Sequence, residues 1–234
     1  MKKLGIIGAM EEEVETLVAT LQDRKEMSRA GSVFYEGKLE DLDVVVVRCG
    51  IGKVNAAICA QILCSEFAVT HLVNTGIAGS LDPQLDIGDL VVSRDGMYHD
   101  FDTTVFGYPM GQVPGSPVRY EADKALAELA FRAAESVNPG HTKLGGIASG
   151  DQFISGKEQK EKIISVTGAA CTEMEGAAIA HTAWRNGVPF VILRAISDKA
   201  DDSAEMDYPT FERIAAHRCA QVTVAMAKAL RETE

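Results

Sequence analysis

Two stretches of the chain set carboxylates where they could act on a ligand. In CTEMEGAAIAHTAW (Cys171 to Trp184), Glu173 and Glu175 flank Met174 just ahead of a small, apolar helical pattern. They could be ordinary acidic residues at a helix N-terminus, facing unpaired N–H groups and the positive end of the dipole. They could also work as a pair, because residues two apart point the same way in extended backbone and diverge by about 200° in a helix. The residues before the pair carry no helical apolar period, whereas Ala177, Ala178, Ala180, His181 and Trp184 do. A strand-to-helix junction is expected here, the kind of place where ligands bind in α/β sheets. In FVILRAISDKADD, Ser197 and Asp198 end the strongest strand signal in the chain, with Arg194 upstream. A helix cap or turn is the plainer reading of Ser-Asp. A carboxyl group held at the end of a buried strand is partly desolvated, however, and its pKa rises toward that of a general acid.

Other motifs are weaker. CGIGKVNAA (49–57) fails as a phosphate loop: Val54 follows Lys53 where Ser or Thr is needed, and Asn55 stands at the last position of a GxGxxG. It reads as a tight turn that lets backbone approach something closely. NTGIAGS (74–80) would let a ring or sugar lie against main chain, or serve as a structural turn. Phe153, in GDQFIS, is a core residue or a stacking platform for a planar ring. The histidines at 71, 99, 141, 181 and 217 have no ligand spacing, YHDFD (98–102) reads as an exposed polar loop, and no metal is expected.

Positioning these groups falls to apolar runs at 4–10, 43–52, 71–80, 89–94, 144–154 and 188–198, continuous in Val, Ile and Leu as strands covered on both faces are. Helical patterns lie at 11–23, 53–66, 121–136, 157–164, 175–186 and 208–231, with 53–66 buried on most of its circumference and Phe211, Ile214, Ala215, Val222 and Met226 on one face of the last. The alternation predicts an α/β fold, a three-layer αβα sandwich around a mixed, largely parallel sheet, in a single domain over 1–234 with ligands beyond the carboxyl ends of the strands. With 46% hydrophobic and 24% charged residues the chain can bury a sizeable core. A net charge of −11 argues against nucleic acid as partner. Five cysteines without a CxxC pair suit a reducing compartment. Glu11 to Glu13 end the first apolar run where a signal peptide would need small residues, and no run reaches the ~20 residues of a membrane span, so a cytoplasmic protein is expected.

Taken together, GIIGAMEEEV, GIGKVNAA, NTGIAGS, SGDQFI, EMEGAAIAH and RAISDKAD, in this order, resemble the bacterial 5′-methylthioadenosine/S-adenosylhomocysteine nucleosidases of the purine nucleoside phosphorylase/uridine phosphorylase superfamily, nearly end to end. The resemblance implies a homodimer that needs no cofactor and hydrolyses the bond between adenine N9 and ribose in 5′-methylthioadenosine, S-adenosylhomocysteine and 5′-deoxyadenosine. It implies that Glu13 activates water, Asp198 protonates adenine N7 and Glu175 holds the ribose hydroxyls, with Met174 against the sugar and Glu173 beside it. Phe153 would stack on adenine and the backbone of Ile154 would read its edge. Ala9, Ile51, Ile77, Ala78, Gly79, Arg194 and Ser197 would complete the substrate site, and Thr103, Phe106 and Pro114 would reach it from the partner subunit. Many members have Ser where Ile77 stands. Phosphorolytic relatives open with a Gly-Asp-Pro loop and an arginine; the three glutamates here would repel phosphate. A dinucleotide-binding dehydrogenase would need the GxGxxG that is missing, and a nucleoside sensor would need neither Glu13 nor Asp198.

Overall fold

The protein's structure, a computed structural model, describes residues 2–233, the side chains of 205 and 206 excepted. In chain order the elements are β1 (Lys3–Gly8), α1 (Glu11–Thr20), β2 (Gln22–Arg29), β3 (Ser32–Leu39), β4 (Leu42–Arg48), α2 (Lys53–Ser65), β5 (His71–Ser80) and β6 (Leu90–Tyr98). A single 3-10 turn (Thr104–Phe106) follows, then β7 (Tyr120–Glu121), α3 (Lys124–Val137), β8 (Thr142–Ser149), α4 (Lys157–Thr167), β9 (Cys171–Glu173), α5 (Gly176–Asn186), β10 (Phe190–Asp198) and α6 (Ala204–Glu232). Among the described residues no helix is long and apolar enough to cross a membrane.

The strands form one mixed sheet with helices packed over it, α1 and α3 against α6 in one group and α2 against α5 in another. The central strands are buried at nearly every position, as cover on both faces requires; all nine residues of β10 are buried. Parallel pairing joins β4, β1, β5 and β10, and again β6, β8 and β9. The sheet does not stay open. β10 pairs with both β5 and β6, and β9 with both β8 and β5, so these five strands close into a ring from which β1, β4, β3 and β2 extend. Closure brings the carboxyl ends of β5, β9 and β10 to one place.

Several local expectations are corrected. The first helix stops at Thr20, and 22–39 is a β2–β3 hairpin turned at Ala30 and Gly31, both at positive φ. β2, QDRKEMSR, is exposed along its whole length and has no apolar alternation to betray it. In α2 the buried residues are Ala56, Cys59, Ala60 and Leu63, while Val54 and Ile58 face solvent. On α6 Ala215, Val222 and Met226 are buried, but Ile214 is exposed. YHDFD is no exposed loop: Tyr98 ends β6, Tyr98 and His99 are buried, and Asp100 is paired with Lys53 at 2.6 Å.

Candidate active site

A cavity of about 360 Å³ opens where the carboxyl ends of β1, β5, β9 and β10 meet the loop after β8. Glu13, Glu173, Glu175 and Asp198 line it, and among the described residues Arg194 is the one cation beside them. All five are at least nine-tenths buried.

Glu13 lies in the first turn of α1 and turns back toward the strand that precedes it. Its Oε2 accepts the N–H groups of Ala9 (2.6 Å) and Met10 (3.1 Å), and its Oε1 accepts that of Ile77 (3.0 Å). Burial raises its pKa above the ordinary carboxylate range, outweighing nearby Arg194 and the three N–H donors. The contact from position 77 is main-chain, so isoleucine serves it as well as serine would. The carboxylate fits because Gly76 has no side chain; a Cβ there would collide with Glu13 Oε1 and Arg194 Nη1.

Glu173 and Glu175 realise both readings of their spacing. Glu173 ends β9, and its Oε2 accepts the N–H groups of Glu175 (3.0 Å) and Gly176 (2.7 Å), capping α5; its Oε1 accepts from Ser149. Glu175, the N-cap residue of α5, takes the Gly52 N–H on Oε1 (2.8 Å). That is the close backbone approach for which CGIGK was suited, and Gly52 has a φ of 99° that favours glycine. Burial raises the pKa of Glu175 to about 7, with Glu173 and Glu13 adding to the effect and Arg194 opposing it.

Arg194, inside β10, ties the carboxylates together. Nη2 donates to Glu173, to Asn74 Oδ1 (2.5 Å) and to Glu175 Oε2 (3.5 Å), Nη1 donates to the Ile77 carbonyl (3.2 Å), and Glu13 lies 3.8 Å away. Burial alone would lower its pKa, but Glu173, Glu175 and Glu13 hold it above the usual arginine value.

Asp198 ends β10. Its Oδ1 accepts the Ala200 N–H and its Oδ2 the Ser197 hydroxyl, both at 2.8 Å. Burial raises its pKa despite these donors, and Asp207 and Asp201 push the same way. Phe153, half exposed at the cavity mouth, stands edge-on to Tyr208 at 5.4 Å, while Ile154 is buried below it.

The cavity gathers the expected Ala9, Glu13, Ile51, Ile77, Ala78, Phe153, Ile154, Glu173, Met174, Glu175, Arg194, Ser197 and Asp198. Gly79 is the exception. It pairs with Asp198 and Thr172 behind the wall, where a Cβ would lie 2.7 Å from Asp198 Oδ1, so its part is to make room for that carboxyl group. Thr103, Phe106 and Pro114 do not line this cavity; Thr103 bonds the Gln112 carbonyl, and Phe106 and Pro114 are exposed. Sequence reasoning missed Met10, Gln152, Thr172 and Tyr208 in the lining. The first three adjoin residues it did select. Tyr208, well beyond the end of β10, sits on α6 and leaves no local signal; its hydroxyl reaches Met10 Sδ at 3.1 Å.

This cavity can seat a flat ring near Phe153 and Asp198 and a group of growing positive charge among Glu13, Glu173 and Glu175. The chain is similar to several known proteins. Residues 3–228 match the model of the phosphorylase superfamily. A 5′-methylthioadenosine/S-adenosylhomocysteine nucleosidase of Staphylococcus aureus (strain MRSA252) is 44% identical over 97% of this chain and 100% of its own length. The crystal structure of such a nucleosidase from Colwellia psychrerythraea 34H in complex with adenine superposes with a TM-score of 0.95, at 39% identity, covering 98% of this chain and 96% of that one. Another, from Neisseria meningitidis in complex with methylthio-immucillin-A, gives 0.93 at 39% identity over 97% and 99%. The chain belongs to the phosphorylase superfamily and, within it, to the family of 5′-methylthioadenosine/S-adenosylhomocysteine nucleosidases.

Proposed function

We propose that the chain is an N-ribosyl hydrolase that releases adenine from 5′-methylthioadenosine, S-adenosylhomocysteine and 5′-deoxyadenosine, with residues 1–234 acting as one nucleosidase domain. The observation that carries hydrolysis is Glu13, a buried carboxylate held at the foot of the cavity by three backbone N–H groups. A raised pKa suits it to take a proton from water. A phosphate dianion placed there would face Glu13, Glu173 and Glu175, and both terminal nitrogens of Arg194 are already engaged.

As the N-glycosidic bond stretches, positive charge grows on the ribose and the Glu175 carboxylate, beside the ribose hydroxyls, attracts it more strongly. Met174 packs against the sugar. Glu173 and Arg194 hold the Glu175 segment in place, Glu173 through the N–H of Glu175 itself. Adenine leaves poorly as an anion; Asp198, oriented by Ser197 and Ala200, delivers a proton to N7 so that it leaves neutral. Phe153 stacks on the adenine and the Ile154 backbone reads its edge.

The active species in this reading is a cytoplasmic homodimer. Exposed apolar side chains support it: Phe106 is 75% exposed and Val54 71%, and Ile51, at the cavity rim, is 54% exposed. Thr103, Phe106 and Pro114 of a second copy would wall the apolar 5′-substituent. The test is incubation with 5′-methylthioadenosine in phosphate-free buffer. Free adenine and free 5-methylthioribose are expected; a sugar 1-phosphate, or turnover only when phosphate is added, would overturn hydrolysis.

A further inference from the structure

We propose that Lys160 is a positioning residue for Asp198: its ammonium group fixes the one peptide unit whose N–H holds the Asp198 carboxyl. The inference rests on the reading of Asp198 as general acid.

The carbonyl of Lys199 and the N–H of Ala200 belong to the same peptide. The described residues contain no cis peptide bond, so in this planar unit the two groups point in opposite directions. The N–H end donates to Asp198 Oδ1 at 2.8 Å, and the carbonyl end accepts from Lys160 Nζ, which arrives from α4 on the other side. A cation at the oxygen and a carboxyl at the hydrogen favour one orientation of the peptide dipole. Flipped, the carbonyl would face the Asp198 oxygens and the N–H would face the ammonium, losing both contacts.

This turn needs an external hold. Ala200 is fully buried at a φ of +51°, a left-handed conformation that alanine disfavours. Its Cβ packs 2.9 Å from where a Cβ on Gly79 would be, so the turn fits into the space that glycine leaves. Lys199 anchors one flank through Leu85 O and Asp86 (2.9 Å). Lys160 anchors the other and also lies 3.7 Å from Asp201. Only 17% of the Lys160 side chain is exposed. α4 follows the loop that carries Phe153 and Ile154, so Lys160 couples the base-stacking segment to the acid.

The charged groups around Asp198 set the sign of the effect. Asp201, in the following turn, and Asp207, on α6, both disfavour its ionised form, while the Ala200 N–H and the Ser197 hydroxyl favour it. Losing the Lys160 ammonium loosens the N–H and unmasks Asp201; both changes push Asp198 toward its protonated form. A carboxyl group with a higher midpoint is a weaker acid, and one with looser aim transfers its proton less efficiently.

Two substrates and one titration test this in Lys160→Met and Lys160→Arg. With 5′-methylthioadenosine, kcat of K160M is expected to fall about tenfold, part of the ~10²–10⁴-fold a full general acid supplies. KM should stay within about twofold, and K160R should recover most of the loss. With 4-nitrophenyl 5-methylthio-β-D-riboside, whose phenolate leaves without a proton, K160M should match wild type. The 13C carboxyl titration of Asp198, in protein labelled on aspartate, should show a higher midpoint in K160M than in wild type or K160R. Equal losses on both substrates, no rescue by arginine, or an unmoved Asp198 midpoint would each overturn the proposal. If wild type releases no adenine, the nucleosidase reading fails, while the titration still decides whether Lys160 governs Asp198. Should K160M not fold, K160Q, which removes the charge but keeps a polar end, is read in the same way.

Discussion

Glu173 and Glu175 aim one carboxylate oxygen each at the same nitrogen, Arg194 Nη2, although one ends a strand and the other begins a helix. Glu173 takes the nearer position and the two helix N–H groups, which leaves Glu175 as the less satisfied anion. An under-neutralised carboxylate is what a developing cation can exploit; burial first, and the neighbouring glutamates after it, raise its pKa to about 7.

Glu175 therefore leaves a mark on pH dependence. It must be ionised to attract the ribose, so kcat/KM is expected to fall as pH drops below about 7. Asp198 must be protonated, and the burial that raises its pKa keeps it so to higher pH than an ordinary aspartate. Stability runs the other way. The folded pKa lies above the unfolded value of 4.5, so the stabilisation from protonating Glu175 is complete below that value and lost as pH rises through about 7. Glu175→Gln should raise Tm over wild type at pH 8 and much less at pH 5, while removing most activity; a gain independent of pH would refute the assignment.

Asp198→Asn keeps an acceptor for the Ala200 N–H but has no proton to give. Turnover of 5′-methylthioadenosine should drop by about 10²–10⁴-fold, with nucleoside binding by calorimetry changed little. Wild-type turnover in this variant would remove Asp198 from the chemistry.

Gly76→Ala puts a methyl group against Glu13 Oε1 and Arg194 Nη1. Overpacking of this kind costs roughly 1–3 kcal/mol, so Tm should fall. Activity should fall further than stability explains if the displaced Glu13 is the group that activates water, as proposed. Activity and Tm near wild type would mean that the strand relaxes at no cost to Glu13.

Phe106→Ala tests the shared site. The ring is 75% exposed in one copy. Burying an apolar side chain against a 5′-alkylthio group is worth roughly 1.5–3 kcal/mol. KM for 5′-methylthioadenosine should rise much more than KM for adenosine, and sedimentation should find a dimer as the active species. A fully active monomer, or equal KM changes for both nucleosides, would place Phe106 elsewhere.

By itself the sequence determined what local pattern can carry. Continuous apolar runs marked β1, β4, β5 and β10 as strands buried on both faces, Glu13 follows the first of them and Asp198 ends the last, and the paired spacing in EME singled out Glu173 and Glu175; all four line the cavity. The tertiary structure alone decided how they meet. Ring closure through the β10–β5 and β9–β5 pairings sets Arg194 between glutamates from two distant segments, the start of α1 and the β9–α5 junction, and no periodicity records a pairing between strands so distant in sequence. Tyr208 reaches the cavity mouth from α6, and Lys160 meets the peptide beyond Asp198 from α4, for the same reason. The β2–β3 hairpin stayed hidden because β2 buries nothing, and burial is what writes a strand's pattern into a sequence.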